Sequence, residues 1–146
     1  MAWNHSDKVS GDWAEGLDNF AAGLKSNVAR AGAQAMAQEV YVEAKLTAPV
    51  LEGGHVFHGT HGKYFFPAGT LRDSIYQVFS KDNSTEDRKT HHVAWNHQKA
   101  PYGFMVEFGT SRAPAHPFLY PAYERTKSRL VSAAISAMSQ ALSNQS

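Results

Sequence analysis

Residues 12–48 constrain this chain more than any other stretch. Leu17, Phe20, Leu24, Val28, Ala31 and Ala35 recur at spacings of three and four, and Met36, Val40 and Ala44 continue on an adjacent stripe. That periodicity predicts one amphipathic helix of roughly eight or nine turns at ~3.6 residues each. Asp12 with Glu15 makes a capping-box-like start. Pro49 ends the helix because its ring pushes the preceding residue out of helical geometry. The middle, ARAGAQAMAQ, is rich in small residues, so a second helix can approach its backbone closely. A chain committed to so long a helix must find another element to cover its apolar stripe. Residues 1–11 are polar and end in Gly11, which reads as a flexible arm.

The remainder breaks into shorter pieces. Residues 50–69, VLEGGHVFHGTHGKYFFPAG, form a long loop broken by glycines, yet Phe57, Tyr64, Phe65 and Phe66 are too apolar for a bare linker. The loop either packs down, with a short hairpin in it, or contacts a partner. Thr70 caps a short turn before SIYQVFS, which alternates as a strand with Ile75, Gln77 and Phe79 on one face. KDNSTEDRKT is a solvated loop. HHVAWNH is a second strand, with Val93 and Trp95 on one face, and antiparallel pairing of the two is the simplest arrangement. Pro101 to Phe108 reads as a short helix or a strand, stopped by Gly109. A last helix runs from about 117–121 to about 142, with Leu119, Tyr123, Leu130, Ala134 and Met138 as its apolar stripe. The expected fold is α+β: long N- and C-terminal helices on a small antiparallel sheet with a long inserted loop, in a single domain over 12–146.

At 146 residues the chain suits one domain with a real core. Charged residues are 18%, and the net charge is +1. No segment forms a strong basic patch, which argues against tight nucleic-acid binding. Low charge with many small polar residues suits a subunit partly covered by neighbours. There is no cysteine, so thiolate metal sites and disulfides are excluded. The N-terminus lacks the pattern of a signal peptide, and no apolar run approaches the ~20 residues of a membrane span.

Eight histidines raise a metal-dependent hydrolase or nuclease as an alternative. His55, His58 and His61 recur every three residues, but in a glycine-rich loop that does not fix ligand geometry. His91, His92, Asn96 and His97 resemble a His-Asn-His nuclease arrangement only faintly, because His91 and His92 point to opposite faces of a strand. No G-x-S-x-G surrounds Ser111, and there is no phosphate-cradling glycine motif. No catalytic residue, cofactor or metal is therefore expected. Glu107, between Val106 and Phe108, is expected to pair with Arg112 or cap a turn. Phe118, Tyr120 and Tyr123 read as core and interface packing, since Arg112, Arg125, Lys127 and Arg129 make only a modest basic groove around them. Val106, Phe108, Phe118 and Leu119 are expected to anchor the last helix on the sheet, with Gly109 at positive φ allowing the chain to reverse.

Four segments in order resemble the small neck or tail-completion (head–tail joining) proteins of long-tailed bacteriophages, the group that includes minor tail protein Z. They are Ala48-Pro49 at the end of the long helix; Gly69, Leu71, Arg72, Ser74 and Ile75; Val106 to Thr110, reading Val-Glu-Phe-Gly-Thr; and Pro117, Phe118, Leu119, Pro121 and Ala122 leading into the last helix. They span most of the chain from Asp12 onward. Residues 50–66 are longer than the short loop expected of that family, and the polar arm lies outside its pattern. The resemblance implies a structural virion protein, not an enzyme, located in the neck between head and tail and assembled in the host cytoplasm. Its implied partners are itself in a closed ring, with a hexamer matching a tail tube, and the connector, tail-terminator or tail-tube proteins. DNA would only pass through the channel, and no membrane is involved. A soluble adaptor domain without a virion role is the third reading.

Overall fold

The computed structural model describes residues 5–144, with side chains from Ala14 onward. Helix α1 spans His5–Thr47 and is 43 residues long. It begins before Asp12, so Asp12 is not its cap and residues 5–11 continue the helix; residues 1–4 of the expected arm lie outside the described residues. At its other end Ala48 N–H still donates to the Ala44 carbonyl at 2.9 Å before Pro49 stops the run.

The long 50–69 segment contains a hairpin. Strand β1 (His55–Gly59) pairs antiparallel with β2 (Gly62–Phe66) around Thr60 and His61, placing Val56 opposite Phe65 and His55 opposite Phe66. Helix α2 is short (Thr70–Ser74). Its N-cap is Gly69, at φ 83°, and not Thr70, whose hydroxyl donates to the Pro67 carbonyl at 2.7 Å. Strands β3 (Ile75–Phe79) and β4 (His91–Trp95) form a second antiparallel pair, with Ile75 opposite Trp95 and Phe79 opposite His91. Each is trimmed by a residue or two relative to its sequence pattern. Helix α3 covers Gly103–Phe108, starting two residues after Pro101, and α4 covers Leu119–Ser143. The architecture is α+β, two long helices against small antiparallel strand pairs.

The two long helices run antiparallel. Arg125 pairs with Glu43 at 3.4 Å, and Arg129 with Glu39 at 2.8 Å. Further along, a Cβ added to Gly32 would lie 2.9 Å from the Met138 side chain. The small-residue stretch of α1 thus admits α4, as its composition predicts. Of the expected α4 stripe, Leu119, Leu130, Ala134 and Met138 are partly buried, and Tyr123 alone turns outward. Phe118, Ala122 and Thr126 are fully enclosed, whereas Tyr123 is 48% exposed. Thr126 sits in that row without cost because its hydroxyl donates to the Ala122 carbonyl at 2.8 Å.

The main core lies where the C-terminal end of α1, α2, β3–β4 and the start of α4 meet. It comprises Ala44, Ala48, Leu71, Ile75, Trp95, Ala100, Tyr102, Phe118 and Ala122. The Trp95 indole meets the Phe118 ring edge-on, with centroids 5.6 Å apart. It also backs directly onto Gly103, where an added Cβ would fall 2.3 Å from the indole nitrogen. The other end of α1 is different: residues 14–21 are all exposed, including Leu17 and Phe20.

Candidate functional site

The turn between α3 and α4 is built around one carboxylate. Glu107 is buried, and its Oε2 accepts the backbone N–H groups of Phe118 at 2.7 Å and Leu119 at 3.1 Å, while Oε1 accepts that of Tyr120 at 3.0 Å. These are the otherwise unpaired donors of the first turn of α4, where the helix dipole also favours a negative charge. Glu107 therefore caps a helix from another helix, and Phe118, the N-cap by position, offers no side-chain acceptor. Of the two roles expected for Glu107, capping is the one observed. Arg112 is exposed and takes no part.

The chain reverses at Gly109, at φ 77°. A Cβ there would meet the Ala115 backbone nitrogen at 2.8 Å, so a side chain is disfavoured by both torsion and space. Thr110 holds the following loop. Its hydroxyl accepts the N–H groups of Arg112 and Ala113, and its N–H donates to the Ala113 carbonyl at 2.9 Å. His116 N–H donates back to the Val106 carbonyl at 2.8 Å, closing the loop on α3.

Of the four residues expected to anchor α4, Phe118 is fully buried, and Val106 and Leu119 pack against the core. Phe108 does not: it is 66% exposed, and its ring meets that of Phe104 at 4.7 Å between centroids. A six-residue helix has two faces, and Glu107 with Gly103 occupies the inner one. Tyr120 and Tyr123 are also exposed, so the aromatic stripe divides into a buried Phe118 and two outward tyrosines.

The hairpin aromatics divide in the same way, by strand alternation. Phe57 and Phe66 face the body with His55. His55 meets Tyr102 edge-on at 4.3 Å, and Phe66 meets it at 4.9 Å. Val56 and Phe65, directly opposed on the other face, are 52% and 62% exposed. Tyr64 is on the docked face but reaches past it and is half exposed. The four hairpin aromatics are thus not one exposed cluster.

Between the hairpin root, α2, α3 and the 110–116 loop lies an open cavity of about 460 Å³. Pro49, Leu51, Pro67, Met105, Val106 and Pro114 give it an apolar wall, and His55 and His116 also line it. Burial pushes the Tyr102 phenol at its floor above its ordinary value. Leu71, from the second segment of the resemblance, is buried in the core and meets the cavity with its remaining surface.

The histidines do not converge. His55 is held in the aromatic cluster, and His58 and His61 are exposed on the hairpin. His91 packs on Phe79, at 5.5 Å between centroids, while His92 faces outward near Asn83. Among the described residues no group of three His, Asp or Glu side chains could hold a metal ion, and no helix is long and apolar enough to cross a membrane.

Sequence reasoning did not single out Gly103, Ala100 or Tyr102 as structural determinants. The available signal was Tyr102-Gly103 directly before the apolar run, a glycine at a helix start where only its missing side chain makes room for Trp95. No family model, no curated protein and no solved structure matches this chain.

Proposed function

We propose that this chain is a structural subunit of the neck of a tailed bacteriophage, forming a closed ring that completes the tail or joins it to the head connector. One observation carries the reading. The four segments of the resemblance, scattered from residue 48 to residue 122, meet at one joint. Ala48, Leu71, Ile75, Phe118 and Ala122 share one core cluster, and Glu107 and Gly109 shape the turn that delivers Phe118 to it. A motif set that builds a joint is what a scaffold requires, and Ala48, Leu71, Ile75, Glu107, Phe118 and Ala122 are all buried in it.

The surface is consistent with a subunit that is covered on assembly. Large apolar side chains are exposed on several separate faces: Leu17 and Phe20 on α1, Val56 and Phe65 on the hairpin, Phe104 and Phe108 on α3, and Val131 and Ile135 on α4. A ring uses two different faces of each subunit, because head-to-tail contacts that close by rotation are not self-complementary. Six copies would match a tail tube, with DNA passing through the channel.

The test is electron microscopy of lysates from a phage in which this gene is interrupted. Filled heads and finished tails should accumulate unjoined, and supplying the intact chain should restore whole particles. Normal tailed particles from the interrupted gene would refute the proposal.

A further inference from the structure

We propose that the exposed N-terminal segment of α1 in one copy docks into the apolar cavity beside the α3–α4 joint of the next copy. This inference rests on the ring reading above.

The segment is set apart by register. The pairings of Glu43 with Arg125 and Glu39 with Arg129, and the approach of Gly32 to Met138, place the end of α4 opposite α1 residues in the mid-twenties. Residues 5–24 therefore run on past α4 for roughly 30 Å at 1.5 Å per residue. Leu17, Phe20 and Leu24 continue the stripe that α4 covers at Val28, yet Leu17 is 50% and Phe20 58% exposed. Among the described residues no element of the same chain covers Leu17 or Phe20.

The cavity is at the opposite end of the molecule, beside Ala48 and Phe118. Its 460 Å³ accommodates two or three large side chains, and its wall is apolar. Charge favours this occupant over others. Glu15 and Asp18 flank Leu17 on the overhang, and neither belongs to an ion pair among the described residues. The cavity lining contains no carboxylate. His116 lines it, and Arg112 lies exposed in the same loop, also outside every ion pair among the described residues. Glu52 borders the Leu51 side, which turns the incoming carboxylates toward Arg112. Two overhangs packed on each other would instead oppose their own carboxylates, and would stop at a dimer.

The absence of cysteine gives a clean test. Phe20→Cys and Met105→Cys are prepared as separate full-length proteins and as a double variant, each treated with a short bis-maleimide. Within one chain Phe20 lies about 40 Å along α1 from Thr47, the end beside which the Met105 cavity opens, beyond the reach of the reagent. The inference expects a covalent dimer from the mixed single variants, none from either alone, and a ladder from the double variant. Leu17→Asp with Phe20→Asp should reduce the oligomer to monomer with the far-UV circular dichroism unchanged, and Arg112→Glu should weaken association at least tenfold. Homodimers from Phe20→Cys alone would mean that overhangs pair with each other, overturning the inference. Oligomers that form without the mixed cross-link, or that survive Leu17→Asp/Phe20→Asp, overturn it too and leave the ring reading standing. A persistent monomer overturns both the contact and self-assembly, whereas the lysate experiment tests the neck role regardless of how copies meet.

Discussion

At the scale of single residues, the joint separates side chains that are replaceable from those that are not. Glu107→Ala leaves three N–H groups at the start of α4 without their acceptor, one of them fully buried at Phe118. The expected loss is about 2–3 kcal/mol by denaturant unfolding, and less for Glu107→Gln, which keeps one acceptor oxygen. Gly109→Val should cost roughly 1–3 kcal/mol from the positive φ alone, and Phe118→Ala roughly 3–5 kcal/mol as a large buried ring is lost. Gly103→Ala should cost about 1–3 kcal/mol because the Trp95 indole has no room to retreat. The histidines differ among themselves. His58→Asn with His61→Asn should leave stability within about 0.5 kcal/mol, whereas His55→Asn removes a ring from the Tyr102 cluster and should lower it measurably. His91 introduces a pH dependence. Burial first, then Arg30 and His92, hold its imidazole below its ordinary value, and neither ring nitrogen has a partner. The unfolded chain therefore binds the proton first as pH falls. Stability conferred by the neutral ring is intact above the ordinary histidine range and is lost as pH drops through it toward the lower folded value. Melting curves at pH 7.5 and 5 should show this difference shrink in His91→Leu.

At the scale of elements, legibility in the sequence follows how local each cause is. The long helix, both strands and the last helix are set by side-chain periodicity within each segment, and they lie close to where the pattern puts them. The helix starts are not local. Helix α4 takes its cap from α3, and α2 takes a left-handed glycine in place of Thr70. The inner row of α4 takes Ala122 and Thr126 where the pattern put Tyr123, which borders α1 at Met36, Ala37 and Val40 with about half its surface exposed. Hydropathy could not reveal this, since it ranks Tyr above Thr for burial. A cap was one of two roles legible for Glu107, beside a pair with Arg112, whereas the identity of its donors was not legible. The hairpin was visible only as an apolar excess in a glycine-rich segment. A two-stranded hairpin is marginal alone, so its docking by His55, Phe57 and Phe66 is what makes it persist. Val56→Thr with Phe65→Thr, confined to the outward face, should leave the melting temperature unchanged. Replacing residues 54–67 by a short linker should lower it modestly while the two-helix body stays folded, as far-UV circular dichroism would show.

At the scale of the whole molecule, α1 supplies the axis along which everything else is arranged. The α4 helix and the β3–β4 pair lie along its middle and C-terminal parts, the joint sits at its end, and its first turns project. Such a body is longer than its core, and its stability is concentrated near the joint. Hydrogen exchange should therefore be slowest at Trp95, Phe118, Ala122 and Thr126 and fastest along α1 before Leu24, whose amides lack tertiary cover. Association should slow that exchange at the N-terminal end first.

The borrowed cap of α4 also bears on how this chain can diverge. Residues 111–115 are exposed and tied down by Thr110 and the backbone, so as far as the joint itself is concerned their identities are free to change. Their number is not, because Glu107 and Phe118 must stay within one hydrogen bond of each other across them. Relatives of this protein should accordingly show a loop whose letters drift while its length stays fixed. Where Glu107 shortens to Asp, the turn should have lost a residue to let the helix come closer. Such paired changes, carboxylate against loop length, would be the joint's signature in an alignment.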